Sequence, residues 1–282
     1  MGLINKILPI QLKPFSRKIG FEIRIFIYKI KKNFKKKSKS PIFILGNQKS
    51  GTSVIASLLG EMTQEKTSVD LLYSGYKYNL LRDWKSKKID TKKFISKNLV
   101  EFSAKIIKEP HLSVFFDELL IEYPKSNFIM VIRNPFDNIR SILDRLKIEG
   151  NINKLNENQK SNFFHSWNLL LNNEWIGGDK SQYIEVLAER WNIITNTFLQ
   201  NNDKIILIKY EDFIKNKINE IENLSIKLNL ENKNSIEHLL KKQYQPKGKN
   251  KNVDLINFYG KENYEKIKNI CNKNMIKLGY HI

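Results

Sequence analysis

The order of apolar segments in this chain predicts an α/β fold, a three-layer arrangement in which a parallel sheet is flanked by helices on both faces. Three observations carry that expectation. Short apolar runs near residues 42–46, 67–72, 105–108, 127–132 and 204–209 alternate with longer stretches of helical period near 51–60, 113–122, 136–146, 160–173, 181–200, 217–229, 232–242 and 261–278. Two of the runs, Ile42–Gly46 and Phe128–Arg133, pass through a few loop residues directly into a helix. A chain of 282 residues, 41% hydrophobic, is long enough to bury one large core.

The N-terminal segment stands apart. Residues 15–37 mix Phe15, Ile19, Phe21, Ile23, Phe26, Ile27 and Ile30 with many basic side chains and end in Lys35-Lys36-Lys37. No stretch reaches the ~18 consecutive apolar residues that span a bilayer, and the first dozen residues lack a signal-peptide pattern. Two readings stay open: a basic amphipathic helix lying on an anionic membrane surface, or an extra helix packed on the domain with a solvated lysine run. Ser38-Lys-Ser-Pro41 reads as a linker. The division is therefore an extension over residues 1–40 and a main domain over 41–282.

Ile42 to Leu45 fit a buried parallel strand. Gly46 and Gly51 let the backbone turn tightly after it, so the amides of Ser50, Gly51, Thr52 and Ser53 would face an anion over the N-terminus of the next helix. The spacing is similar to the triphosphate-binding loop G-x-x-x-x-G-K-[ST], but Thr52 stands where that loop has its lysine, and the cation, Lys49, lies three positions earlier. No second acidic strand end is available for Mg²⁺. Both departures argue against a metal-dependent kinase.

Asp70 closes the next run. Lys105-Ile-Ile-Lys108-Glu-Pro-His111 is a short strand ending in a cation. Phe128–Arg133 ends in another; Asn134 can cap the following helix, Pro135 suits its first position, and Arg140 and Ser141 lie two turns along it, so that Arg133 and Ser141 could hold a phosphate together. In open α/β sheets ligands bind beyond the carboxyl ends of strands, which places Gly46, Lys108 and Arg133 in one cleft. The Asn/Lys-rich stretch 150–160 reads as a mobile loop over it.

Lys49-Ser-Gly-Thr-Ser53 after a strand, and Arg133 with a serine eight residues later, resemble the two nucleotide-gripping segments of sulfotransferases that use 3′-phosphoadenosine 5′-phosphosulfate (PAPS). Lys108-Glu-Pro, Tyr210-Glu-Asp-Phe and the closing Met275-Ile-Lys-Leu-Gly-Tyr extend the resemblance from about residue 41 to the C-terminus. It implies the P-loop-like sulfotransferase fold and transfer of a sulfuryl group to a hydroxyl of a carbohydrate or glycan, as in glycan-type and bacterial members, without a metal. By the same resemblance Ser50, Gly51, Thr52 and Ser53 would bind the 5′-phosphate, Arg133 and Ser141 the 3′-phosphate, Lys49 the bridging oxygen of the leaving group and Lys108 the moving sulfuryl group. Lys247, in Gln245-Pro-Lys-Gly-Lys, faintly resembles a closing loop over the nucleotide. For the base that takes the acceptor's proton, Asp70 is the first choice, twenty-one residues after Lys49. His111 is the second, because its K-x-x-H spacing is one residue longer than the family's K-x-H; Glu109 is the third.

Composition narrows the alternatives. The formal charge is +20, but 42 of the 49 basic residues are lysine and seven are arginine. With no helix-turn-helix, zinc or RNP pattern, that balance argues against nucleic acid. Cys271 is the only cysteine, which rules out an intrachain disulfide and fits a reducing, cytoplasmic compartment, with the inner membrane face as a peripheral site. His111, His165, His238 and His281 lack metal-ligand spacing. Trp84, Trp167, Trp175 and Trp191 could line an acceptor site or fill the core. A P-loop nucleoside or sugar kinase, and a non-catalytic membrane-associated module that keeps the nucleotide, are the other function classes.

Overall fold

The computed structural model describes residues 13–156, 165–242 and 253–281. Five strands, β1 (Ile42–Gly46), β2 (Thr67–Val69), β3 (Ile106–Lys108), β4 (Asn127–Ile132) and β5 (Ile205–Lys209), form one sheet in the order β2-β3-β1-β4-β5. Every pairing is parallel. This matches the expected class and all five expected strands, with β2, β3 and β5 shorter by one to three residues.

Side chains alternate through the sheet because strand period is two. Ile42 and Ile44 of β1, with Ile129 and Val131 of β4, join one core; Phe43 and Leu45, with Phe128, Met130 and Ile132, join the other. The first core is closed by α2 (Thr52–Thr63), whose Ile55, Leu58, Leu59 and Met62 have the i, i+3, i+4, i+7 spacing of a buried helix face, and by Ile221 and Leu224. These last two lie on α11 (Lys217–Lys227), which follows the short α10 (Tyr210–Lys215). The second core lies under α8 (Pro135–Leu146), α9 (Tyr183–Gln200) and α12 (Leu255–Lys277). Asn134 caps α8 as its sequence suggests, accepting from the Phe136 amide at 3.0 Å, with Pro135 at the first helical position.

Between β2 and β3 the chain forms four short helices, α3 (Leu72–Tyr76), α4 (Asn79–Lys85), α5 (Thr91–Lys97) and α6 (Leu99–Phe102). A 3-10 turn, Pro110–Phe115, leads from β3 into α7 (Phe116–Glu122). The N-terminal helix, α1 (Lys13–Lys32), rests on α6.

Three sequence expectations need correction. The helix expected over 232–242 is only a 3-10 turn at Glu237–Leu239, because the amides of Lys233 and Asn234 both donate to the Met62 carbonyl at the end of α2, at 2.7 and 3.0 Å. The helix expected over 160–173 is a 3-10 helix at His165–Leu171, and residues 157–164 lie outside the described residues. The stretch expected to be mobile over 150–160 begins with anchored backbone: the Tyr183 hydroxyl lies 2.9–3.0 Å from the carbonyls of Glu149, Gly150 and Ile152, and Asn263 Nδ2 donates to Gly150 O at 2.9 Å. No helix among the described residues is long and apolar enough to cross a membrane.

Candidate functional site

The central position of β1 brings three strand ends together: Gly46 pairs with Val131 of β4, Ile44 with Lys108 of β3, and Lys108 in turn with Val69 of β2. The loop after β1 is held from both sides. Ser113 hydrogen-bonds both the amide and the carbonyl of Gly46, at 2.8 and 3.1 Å. Asn138 of α8 donates to the Gln48 carbonyl at 2.8 Å and to Ser50 Oγ at 3.0 Å, while its own oxygen accepts from Asn47 Nδ2 at 2.8 Å. Gly51 has φ +95° and caps α2 with no side-chain hydrogen bond. A Cβ there would lie 2.5 Å from the Tyr210 ring, so the ring lies against the loop only because position 51 has no side chain.

The expected cradle is one amide smaller. Ser50 N–H donates to Asn47 O at 3.2 Å inside the turn, which leaves the amides of Gly51, Thr52 and Ser53 at the helix start. Ser50 contributes its hydroxyl, whose oxygen already accepts from Asn138.

Arg133 lies against this loop. Its Nη1 donates to the Lys49 carbonyl at 3.2 Å, its guanidinium sits 4.7 Å over the Tyr210 ring, and Nη2 is 3.8 Å from Asp137. Asp137 also pairs with Arg140 at 2.6 Å. Ser141 is half-buried on α8, one turn beyond Asp137, on the same helix side. The Trp191 indole donates to Arg133 O at 2.9 Å, and Glu211 accepts from the Asn134 amide at 2.8 Å, which fixes the β4 end from α9 and from α10. Arg133 Nε and both polar atoms of the Gln48 amide are buried without a partner. Unpaired buried donors beside a helix N-terminus fit an anionic ligand.

The third strand end carries the other candidates. Lys108, 2% exposed, is ion-paired to Asp70, which is 58% exposed. Glu109 is buried and accepts from the amides of Leu71 and His111 at 3.1 and 3.0 Å, tying β2 and β3 together beyond their last pair. Burial, followed by the charge of Asp70, pushes its carboxyl up to about 7. His111 is also buried, and its Nδ1 lies 3.2 Å from Nη2 of Arg190. A guanidinium only donates, so Nδ1 is the acceptor and the ring's proton is on Nε2. Burial first, then Arg190 and Lys108, hold the imidazole well below its usual range.

Backbone strain marks the same places. Six non-glycine residues among those described have left-handed φ. Gln64 and Lys147 are helix C-caps, and Lys87 and Asn229 each follow one, where that conformation is ordinary. Lys49 (φ 68°) and Asp70 (φ 68°) are the two without that reason, and both lie just beyond strand ends at the cleft. Burial, then Arg145 and Arg133, lower the Lys49 ammonium to about 8, so the loop sits in a positive field.

Of the residues singled out from sequence, Lys49, Ser50, Gly51, Thr52, Ser53, Arg133, Lys108, Asp70, Glu109 and His111 all occupy this edge of the sheet, and Ser141 lies on the helix leading from it. Lys247 lies outside the described residues. Trp84 is core, stacked between Phe94 and Phe115 with ring centroids 4.1 and 3.9 Å away, and Trp191 is core apart from its indole N–H. Sequence reasoning missed Ser113, Asn138, Arg190, Tyr210 and Glu211 as supports. One signal for Arg190 was present: arginine is scarce in this lysine-rich chain, yet four of the seven, Arg133, Arg140, Arg145 and Arg190, belong to this region.

A family model described as a sulfotransferase domain matches residues 39–277. Among solved structures, sulfotransferase STF9 from Mycobacterium avium superposes with a TM-score of 0.56 at 11% identity, over 92% of this chain and 82% of that one. A sulfotransferase from Alicyclobacillus acidocaldarius gives 0.49 at 12% identity, over 87% and 98%, and STF1 from Mycobacterium tuberculosis H37Rv gives 0.48 at 13%, over 89% and 80%. The likeness to STF9 is one of fold. No curated protein matches the chain.

Proposed function

The chain belongs to the sulfotransferase domain family, and from that premise we propose that it moves a sulfuryl group from PAPS to a hydroxyl of a carbohydrate or glycan acceptor. The observation that carries the reading is the meeting of the Lys49 loop, Arg133 and the Lys108–Asp70 pair at one sheet edge, where Lys49 and Asp70 have the left-handed φ that, among the described residues, no helix end explains. The Lys108-Glu-Pro sequence resembles an element found in glycan, tyrosylprotein and bacterial sulfotransferases, and of these the glycan type is the one proposed.

PAPS supplies the sulfuryl group. The amides of Gly51, Thr52 and Ser53 and the Ser50 hydroxyl hold the 5′-phosphate, and Arg133 with Ser141 holds the 3′-phosphate. The bond from sulfur to the leaving nucleotide breaks as the acceptor oxygen bonds to sulfur, through a loose transition state whose charge builds on the bridging and equatorial oxygens. Lys49 donates to the bridging oxygen and Lys108 to the equatorial ones, each contributing about 3–4 kcal/mol of transition-state stabilisation. These fixed cations supply the charge that a metal would otherwise bring. Asp70 takes the acceptor's proton and 3′,5′-ADP leaves.

His111, weighed as the second choice of base, does not fit that part. Its one free lone pair already accepts from Arg190, so the ring offers only an Nε2–H donor. Glu109, the third choice, is buried and accepts from the amides of Leu71 and His111, so its place in the fold is as a tie between β2 and β3.

The test is direct. Purified protein incubated with PAPS and a panel of sugar, glycan, lipid and phenol acceptors should release 3′,5′-ADP with a sugar-containing acceptor, and should bind 3′,5′-ADP in calorimetry. Absence of both results would overturn the proposal, and turnover with phenols alone would overturn its acceptor class.

A further inference from the structure

Helix α1 has two apolar faces, and the domain covers one of them. Ile25 and Tyr28 are buried; the Tyr28 hydroxyl donates to Glu101 at 2.6 Å and its ring lies 5.6 Å from that of Tyr73. On the opposite side Ile23, Phe26, Ile27 and Ile30 follow the i, i+3, i+4, i+7 spacing of one helix face, and they are 50%, 64%, 44% and 46% exposed. Phe34, just past the helix end, continues the row at 81%. Five of the twelve exposed large apolar side chains among the described residues therefore fall within a twelve-residue stretch, whereas scattered exposure is the ordinary pattern.

Charge selects the occupant. Residues 13–37 contain ten lysines and arginines and one acidic residue, Glu22. A second copy of the chain would bring two such cationic segments together, which costs repulsion. A surface with fixed negative charge and an apolar layer beneath it matches both features. Arg24 and Lys31 border the exposed row on one side and Lys29 on the other, so their stems can lie along apolar material while the charged ends stay in water. We infer that α1 docks the protein on the surface of an anionic bilayer, inserting Ile23, Phe26, Ile27, Ile30 and Phe34 among the headgroups and acyl boundary. This holds whatever acceptor the domain sulfates.

The experiment uses the full chain with vesicles of mixed phosphatidylglycerol and phosphatidylcholine, or of phosphatidylcholine alone, in a sedimentation assay. Protein should pellet with the anionic vesicles, be released at high salt, and stay in solution with the neutral ones. The double variant Phe26→Ser/Ile30→Ser should lower partitioning at least about tenfold while its circular dichroism and 3′,5′-ADP affinity match the parent, because neither side chain belongs to the buried face. Equal pelleting with both vesicle types, no pelleting of the parent, or a double variant that pellets like the parent would each overturn the inference. So would ultracentrifugation showing a dimer for the parent and a monomer for the double variant, since the face would then join two copies.

Discussion

The two ends of the candidate cleft are built in different ways. The loop after β1 takes its shape from neighbours in sequence, two glycines, a strained Lys49 and a helix start within residues 46–53, and Ser113, Asn138 and Arg133 brace it from outside. The end beyond β2 and β3 is made by side chains distant in sequence, with Lys108 meeting Asp70 across 38 residues and His111 meeting Arg190 across 79. Backbone amides and local geometry suffice to grip an anion, which is the same in every turnover. Taking a proton and steadying a moving group needs opposite charges balanced against each other, which here only tertiary structure brings together. Apart from Lys49, which is proposed to act on the leaving oxygen, the loop is therefore expected to govern nucleotide binding and the paired end to govern rate.

The largest expected effect tests that division. Lys108→Ala should lower kcat by about 10²–10³, with 3′,5′-ADP affinity changed by less than about threefold. Asp70→Asn should cost a similar factor. Because the two side chains are partners, the double variant should cost far less than the product of the single effects. A Lys108→Ala enzyme with parental kcat, or effects that multiply fully, would dissolve the contrast between the two ends.

At the loop end the expectation is reversed. Arg133→Ala removes a charged donor and the stack on Tyr210, so 3′,5′-ADP should bind about 10–100-fold more weakly, equivalent to about 1.5–3 kcal/mol. The rate at saturating PAPS should fall much less. Titration calorimetry beside saturation kinetics separates the two, and a kcat defect without a binding defect would contradict it.

Smaller again is Gly51→Ala. The added methyl would meet the Tyr210 ring at 2.5 Å in a conformation with φ +95°, so a loss of about 1–3 kcal/mol of stability is expected. Pushing the ring off Arg133 should weaken 3′,5′-ADP binding in the same variant. Thermal melts with and without 3′,5′-ADP check both, and an unchanged melting temperature would show that the ring does not rest on the loop.

The same difference decides what was readable from sequence. The sheet was legible because each strand is a short apolar run stopped by glycine or charge: Gly46, Lys108 and Arg133 mark three ends within a residue. The run near 67–72 stops at Val69 because Asp70 turns left-handed, a conformational choice that its residue type allows and does not announce. Helices α3 to α6 were missed because pieces of four to seven residues are too short to display a period. The Lys49 loop could be read as a unit. Asp70, Lys108 and His111 could be named only separately, since nothing in their spacing says that Asp70 pairs with Lys108 or that Arg190 takes the lone pair of His111.

The smallest expected effect compares the two ends by titration. Burial moves Lys49 at one end from 10.5 down to about 8, and Glu109 at the other from 4.5 up to about 7. For Lys49 the folded protein releases its proton first, so between pH 8 and 10.5 the unfolded chain binds more protons and this residue makes stability rise with pH. For Glu109 the folded protein keeps its proton longer, so between pH 4.5 and 7 the native state binds more protons and stability falls as pH rises. Glu109→Gln should therefore flatten the decline across pH 4.5–7 in denaturant titrations and leave the alkaline side unchanged. Lys49 should appear in kinetics instead: kcat/KM for PAPS should fall above pH 8 as the free enzyme loses that charge, whereas kcat should hold to higher pH because the bound anion favours the protonated amine. A Glu109→Gln variant with the parental acid-side slope would place the titrating group elsewhere, and matching alkaline limbs in kcat and kcat/KM would remove Lys49 from contact with the bound nucleotide.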